Sequence, residues 1–238
     1  MIGLYESNGS TMPLASRFTN DELIEIGIDE AGRGSFWGPI VAGAVILPTE
    51  WTDVQSILFA QFRDSKKISP KKRVILSAGI KEHTKWGIGI VGAEEINKNG
   101  IQWANREAFR RAYQNIQGID LSQCRLLIDG VLSVDKWEGP QELIIEGDNQ
   151  YMSIAAASIL AKVAHDTWIQ DYCDQNPECE ERYHLRSSNG YGTAPHREGI
   201  RIYGGHTLHR EQYIRNWLPG TPQKTPKQSK SESCMIRF

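Results

Sequence analysis

The chain of 238 residues carries 27 Lys and Arg against 29 Asp and Glu, a formal net charge of −2; this fits one full domain and excludes a whole-molecule basic footprint for nucleic acid. Its longest apolar stretches, Ile40 to Leu47 and Ser153 to Ala164, fall short of the roughly 18 residues a membrane span needs, and the opening MIGLYESNGSTM has no basic segment ahead of an apolar block, so a cytoplasmic protein without a membrane partner is expected. Cys124, Cys173, Cys179 and Cys234 form neither a CxxC pair nor a disulfide framework and read as reduced thiols.

Residues 1–20 are small and polar and predict a flexible leader. From Glu22, ELIEIGIDE has apolar residues at strand spacing; a glycine-rich turn follows, then the apolar run PIVAGAVIL, giving strand, turn, strand. Gly32, Gly34 and Gly38 miss the dinucleotide-binding spacing by one residue, and a second strand stands where that fingerprint needs a helix. In DSKKISPKKRVILSAGIKEH, Ser69 caps a helix that has Pro70 at its first position. WGIGIVGA reads as a third strand and EEINKNGIQWANREAFRRAYQNI as one or two helices.

CRLLIDG and QELIIEGD are short strands that each end in an aspartate; the ten residues between them are tight for a parallel crossover, which leaves their mutual direction open. NQYMSIAAASILAKVAHDTWIQDY is the clearest helix, with a small-residue face suited to close packing. DQNPECEERYHLRSSNGYGTAPH reads as loop, followed by helices from about Pro195 and from about Leu208 to Trp217. These elements place a domain over residues 21–218, and the Pro-, Lys-, Ser- and Gln-rich end, 219–238, predicts disorder.

Four acids share a structural address. Asp29 and Glu30 end the first strand, Asp129 ends the CRLLID strand, and Asp148 closes QELIIEG at the mouth of a helix, where its simplest role is as an N-cap. Taken singly, each is an ordinary turn or cap residue. Taken together at strand ends of a mixed sheet, they point into one crevice, where their repulsion calls for a cation. The donors are all oxygen, with no His or Cys cluster beside them, so Mg²⁺ or Mn²⁺ suits better than zinc. Two such ions can activate a water and stabilise the leaving oxygen of a phosphodiester.

IDEAGRGSFWGPIVAGAVIL, DSKKIS, LLIDG, EGDNQYMSIAAASILAKVAHD and GYGTAPH, in this order from about Ile24 to Trp217, resemble ribonuclease HII. The resemblance implies an α/β, RNase H-like fold: a central mixed sheet flanked by helices, with a helical C-terminal portion. It implies a metal-dependent endoribonuclease that cuts the RNA strand of RNA/DNA hybrids and nicks duplex DNA 5′ to embedded ribonucleotides, leaving 3′-hydroxyl and 5′-phosphate ends. Residue by residue, Asp29, Glu30, Asp129 and Asp148 match the carboxylates that hold Mg²⁺ or Mn²⁺. Gly32, Arg33 and Gly34 match the turn that reads the ribose 2′-hydroxyl, which distinguishes RNA from DNA. Tyr191 matches the tyrosine that packs on the sugar of the following deoxynucleotide, and Ser65, Lys66 and Lys67 match a segment near the substrate phosphates.

Several positions depart from the family pattern. Glu146 stands where a lysine is usual, His165 where an arginine precedes the aspartate (here Asp166), and Ser188 and Asn189 where a His-Lys pair is usual. Each removes positive charge, which implies weaker phosphate contact. Arg197, Arg201, His209, Arg210 and Arg215 either supply part of that charge or form a solvated helix face. The tail, with Lys224, Lys227, Lys230 and Arg237, suggests loose DNA contact or docking of a replication or repair partner through its MIRF end, on a chain expected to be monomeric. Two other functions compete: a ribonuclease HIII-like hybrid nuclease, against which the GRG turn speaks, and a binding module without activity, against which the four acids speak.

Overall fold

A computed structural model describes residues 13–221, so the tail with Lys224, Lys227, Lys230, Arg237 and MIRF lies outside the described residues. Five strands form one mixed sheet in the order β3-β2-β1-β4-β5: β1 is Ile24–Ala31, β2 Ile40–Ile46, β3 Lys85–Val91, β4 Cys124–Asp129 and β5 Gln141–Ile144. The three N-terminal strands are antiparallel neighbours, and β4 joins β1 in parallel. Between the strands and after them run helices α1 (Asp53–Phe59), α2 (Pro70–His83), α3 (Ala93–Asn99), α4 (Ile101–Gln114), α5 (Met152–Gln175), α6 (Pro177–Tyr183), α7 (Leu185–Ser188), α8 (Ala194–Tyr203) and α9 (Glu211–Ile214). This is the mixed sheet with flanking helices that the sequence predicts.

Alternation along β1 divides the core in two. Ile26 and Ile28 point to a layer closed by Ala104, Ala108, Phe109 and Ala112 of α4. The opposite face is covered by α5, whose Ala155, Ala156, Ile159 and Leu160 pack with Val45 and with Leu76 and Ile80 of α2. Both helices approach the sheet closely because glycines lie beneath them: a Cβ on Gly43 would strike the backbone of Ala157, and one on Gly89 the backbone of Ala108. The small-residue face of α5 is therefore a packing requirement.

One direction left open is now fixed, and several expectations change. β5 is parallel to β4, although only residues 130–140 connect them. The register pairs Leu126 with Gln141, so the link returns by only about three residues of strand, roughly 10 Å, and needs no helix. It is pinned by the Gln141 side chain, which bridges the backbone N–H and C=O of Val134. Asp148 is not at a strand end, because β5 stops at Ile144; it lies in a 3-10 turn, Gly147–Asn149. Nor does it cap α5, whose N-cap is Tyr151 without a side-chain bond. The segment read as loop after α5 holds α6 and α7: Pro177 occupies the first turn, and Cys179 and Tyr183, four apart, are buried on one side. The helix expected from Leu208 to Trp217 is only the single turn α9.

The segment WTDVQSILF, with its Thr52–Gln55 capping box, forms α1, which no expectation had placed. The described end of the leader is tied down: Ala15 pairs with Tyr151, and Phe18 and Thr19 donate their N–H groups to Glu25. Among the described residues no helix is long and apolar enough to cross a membrane.

Candidate active site

Asp29 and Glu30 are neighbours on β1 and so leave the sheet on opposite faces. Asp29 sits on the α5 face, where the Ser158 hydroxyl acts on it, and Glu30 on the α4 face beside Asn105. Parallel pairing of Ile28 with Ile128 puts Asp129 one step beyond on β4, on the same side as Asp29. The 3-10 turn then brings up Asp148: the Gly147 N–H donates to Asp129 Oδ1 at 2.8 Å, and the Asn149 amide donates to Asp148 Oδ1 at 3.0 Å. Four acids from three chain segments thus meet at one end of the sheet.

All four carboxyls are pushed above the ordinary range. For Asp29 the causes are burial and then the charges of Glu30 and Asp129. Burial also raises Glu30, opposed by Arg33, whose guanidinium lies 3.9 Å away. Burial raises Asp129 against the Gly147 N–H and Lys66, and it pushes Asp148 up to about 6 with the help of Asp64 and Asp129. Among the described residues no three His, Cys, Asp or Glu side chains close into a finished metal cage. The donor chemistry nevertheless fits a hard divalent cation: the groups are oxygen acids, half-buried or deeper, and they repel one another until a positive charge arrives.

The GRG turn adjoins this cluster and is locked to the GYGT loop. Gly32 has φ +80°, and a Cβ there would run into the His165 ring, so only glycine is accommodated. Its N–H donates to the Tyr191 hydroxyl at 3.2 Å. Ser35 pairs with Tyr191, and the N–H groups of Phe36 and Trp37 both donate to the Gly190 carbonyl. The Arg33 carbonyl accepts from Arg210 Nη1 at 2.9 Å and from the Tyr213 hydroxyl at 3.1 Å, while Arg210 Nε donates to the Gly38 carbonyl. Arg33 itself and Gly34 are exposed. Lys162 lies over the Tyr191 ring, 5.4 Å from its centroid.

The DSKK segment divides. Ser65 is buried, its hydroxyl accepting from Ser158 at 2.9 Å, so it lies under the acids and presents no open face to a phosphate. Lys66 is exposed, and its charge lowers Glu30, Asp129 and Asp148. Lys67 is exposed and donates to Asn149 Oδ1 at 2.6 Å.

The departures from the family pattern are placed as follows. His165 is fully buried beneath Gly32, with Nδ1 3.1 Å from Asp166, and burial holds its pKa down, so it offers no charge to a ligand. Glu146 is exposed in the left-handed region. The Ser188 hydroxyl is buried and donates to the Leu185 carbonyl. Asn189 takes the left-handed position that ends α7, which asparagine tolerates well. Arg210 and His209, read as surface charge, are buried.

Two residues of the site, and the role of a third, escaped the sequence reading. Asp64, whose charge raises Asp129 and Asp148, opens the DSKK motif itself. Asn105 is fully buried beside Glu30, where its side-chain amide opposes the rise in the Glu30 pKa. It was detectable as the one amide in the stripe Ala104, Asn105, Ala108, Phe109, Ala112 that α4 turns inward. Arg210 had no such signal, since its partners are carbonyls far away in sequence.

Comparison with known proteins settles what this arrangement belongs to. The sequence pattern of the family Ribonuclease HII matches residues 26–216. The chain belongs to the ribonuclease HII family. It is 41% identical over 189 residues to the ribonuclease HII of Prochlorococcus marinus, covering 79% of this chain and 94% of that one, and 40% identical over 192 residues to that of Anaplasma phagocytophilum, covering 80% and 85%.

The fold matches the crystal structure of the ribonuclease H2 from Pyrococcus horikoshii OT3, with a TM-score of 0.63 at 22% identity over 81% of this chain and 96% of the other. It also matches ribonuclease HII in a complex with PCNA from Archaeoglobus fulgidus, with a TM-score of 0.62 at 22% identity over 86% and 98%. As a ribonuclease HII family member the protein is a ribonuclease H, a hydrolase rather than a binding module without activity, and enzymes of this type act on RNA/DNA hybrids with a divalent metal.

Proposed function

We propose that the protein nicks duplex DNA 5′ to embedded ribonucleotides as well as cutting RNA/DNA hybrids, leaving 3′-hydroxyl and 5′-phosphate ends, and so removes misincorporated ribonucleotides. The observation that carries this reading is the bond from the Gly32 N–H to the Tyr191 hydroxyl beside the four acids. It fixes the distance between a glycine turn suited to a ribose 2′-hydroxyl and an aromatic ring suited to the next sugar. A ring held there accepts a deoxyribose and crowds a second ribose, which is the physical basis for reading a junction.

Asp29, Glu30, Asp129 and Asp148 would hold Mg²⁺ or Mn²⁺. When bound, the cations supply an activated water and stabilise the leaving oxygen. The chain's own residues position the substrate and set charge: Arg33 partly balances Glu30, Lys66 lowers the carboxylates nearest it, and the Gly147 N–H orients Asp129. Lys66 and Lys67, exposed at the rim, are placed to meet phosphates, whereas Ser65 supports the acids from below. The reading includes a monomeric enzyme in the cytoplasm, a domain over residues 21–218, and a replication or repair partner for the tail; comigration in a size-exclusion run bears on the first.

The decisive experiment uses a labelled DNA duplex with one ribonucleotide, incubated with Mg²⁺, Mn²⁺ or EDTA. A metal-dependent nick immediately 5′ to the ribonucleotide is expected. Good cutting of a long hybrid without that nick would reject junction reading.

A further inference from the structure

Behind Tyr191 lies a cluster that neither the acids nor the GRG turn uses. His196 on α8 and His209 before α9 are both buried, at 0% and 1% exposure, and their Nε2 atoms are 3.0 Å apart. The other ring nitrogens determine where the protons sit. The His206 backbone N–H donates to His209 Nδ1 at 2.8 Å, so that nitrogen carries a lone pair and the proton of the neutral ring is on Nε2. His196 Nδ1 is 3.0 Å from the Tyr191 carbonyl, which can only accept, so there the proton is on Nδ1 and Nε2 is bare. A single proton arrangement therefore satisfies all three contacts: His206 N–H to His209, His209 Nε2–H to His196, and His196 Nδ1–H to the Tyr191 carbonyl.

We propose that His196 and His209 are positioning residues, forming a fixed-tautomer hydrogen-bond chain that sets the backbone of Tyr191 and, through its hydroxyl, the Gly32 turn. This rests on the junction reading for its consequence in catalysis, but not for its geometry. An extra proton on either ring breaks the chain, by facing N–H against N–H at the histidine contact or at His206. The surroundings favour neutrality: burial pushes His196 down to about 4 against the opposing Tyr191 hydrogen bond, with the His184 charge a smaller aid, and burial followed by the charges of His196 and His206 pushes His209 to about 3. The titratable groups facing the pair are His206 on the His209 segment, Tyr183 on α6 and His184 at its end, none of them a carboxylate. Trp37 closes the cluster, stacked on His206 with centroids 4.7 Å apart and edge-on to His209 at 4.6 Å.

The same segment that carries His209 supplies Arg210 to the Arg33 carbonyl. One short stretch thus holds both reading loops, the GYGT side through histidines and the GRG side through a guanidinium. A purely space-filling role would need aromatic volume alone and would tolerate either tautomer.

The test is first spectroscopic, on the metal-free full chain. Long-range ¹H–¹⁵N correlation of the imidazoles should show His196 protonated on Nδ1 and His209 on Nε2, with both neutral at about pH 5.5, where an ordinary histidine is mostly charged. An Nε2–H tautomer for His196, or titration of either ring near 6.5, overturns the chain whatever the enzyme cuts.

His196→Asn, whose side-chain amide can donate where Nδ1–H does, should keep the Gly32 and Tyr191 amide signals near their parental positions. His196→Phe, which keeps volume without a donor, should move them and reduce nicking beside a single ribonucleotide roughly tenfold or more relative to hybrid cutting. If the parent cuts hybrids without nicking the single site, the junction reading fails, and the tautomers and amide signals still decide the chain. If His196→Phe is folded yet leaves those signals unmoved, the positioning role fails.

Discussion

At one end of the sheet, Asp29, Glu30, Asp129 and Asp148 are buried together, and burial with the charges of Glu30, Asp64 and Asp129 raises their pKa values; at the turn and loop beside them, His196, His209 and Arg210 are buried more deeply, yet the protein itself supplies nearly all their partners. The only orphaned polar atom among those three side chains is Arg210 Nη2. The acid cluster is electrostatically incomplete, and a cation would stabilise it. The loop support is closed and requires no ligand to hold its shape. On the proposed function, chemistry falls where the fold is electrostatically unsatisfied, and recognition where it is satisfied.

The sharpest break of this contrast is Asp129→Asn. Cutting should fall by at least a hundredfold, on the order of 3 kcal/mol of transition-state stabilisation, while a duplex still binds in an anisotropy titration. Next in size, Arg210→Ala should destabilise the protein by roughly 2–4 kcal/mol, with or without metal, because the buried Gly38 carbonyl loses this donor and the Arg33 carbonyl keeps only the Tyr213 hydroxyl. Chemical denaturation measures it, and a loss below about 0.5 kcal/mol would show that the loops do not need this support.

A third effect depends on pH. Asp148 is raised from 3.8 to about 6, so in EDTA its protonated form favours the fold. That contribution is full below about pH 4 and is lost as pH rises through about 6. Asp148→Asn should therefore melt higher than the parent at about pH 7.5, by about 1–2 kcal/mol in stability, with the difference vanishing near pH 4. Saturating Mg²⁺ should abolish or reverse the gain. The smallest change expected is from Lys66→Ala: losing a charge that lowers Asp129 and Asp148 should move the acid limb of the pH–rate profile upward by a few tenths of a unit. A downward move would refute its placement.

Legibility followed the same division. The β1–turn–β2 hairpin, the Ser69 cap, β3 and α5 were readable because each declares itself within a short window, and all four acids could be named because strand ends and turns limit where a buried acid can go. The direction of β5 was not readable, since it depends on how far back the chain must travel rather than on residue type. Asp148 reached the cluster by a 3-10 turn that its sequence does not distinguish from a strand end. His209 and Arg210 resemble a basic surface in sequence. Only the long-range bonds to His196, Gly38 and Arg33 explain why such polar side chains are buried.

The Arg210 contact to Arg33 also has a consequence in time. It spans 177 positions, and the Tyr213 contact to the same carbonyl spans 180. During synthesis the acids of β1 emerge early, those of β4 and the 3-10 turn well before the end, and the Gly190 and Tyr191 contacts to the turn later still, but the Arg33 carbonyl meets its donors only when residues 210 and 213 have been made. A nascent or truncated chain therefore carries all four acids before the turn beside them has its last two donors, and on the proposed function selectivity would be the last property the growing protein acquires.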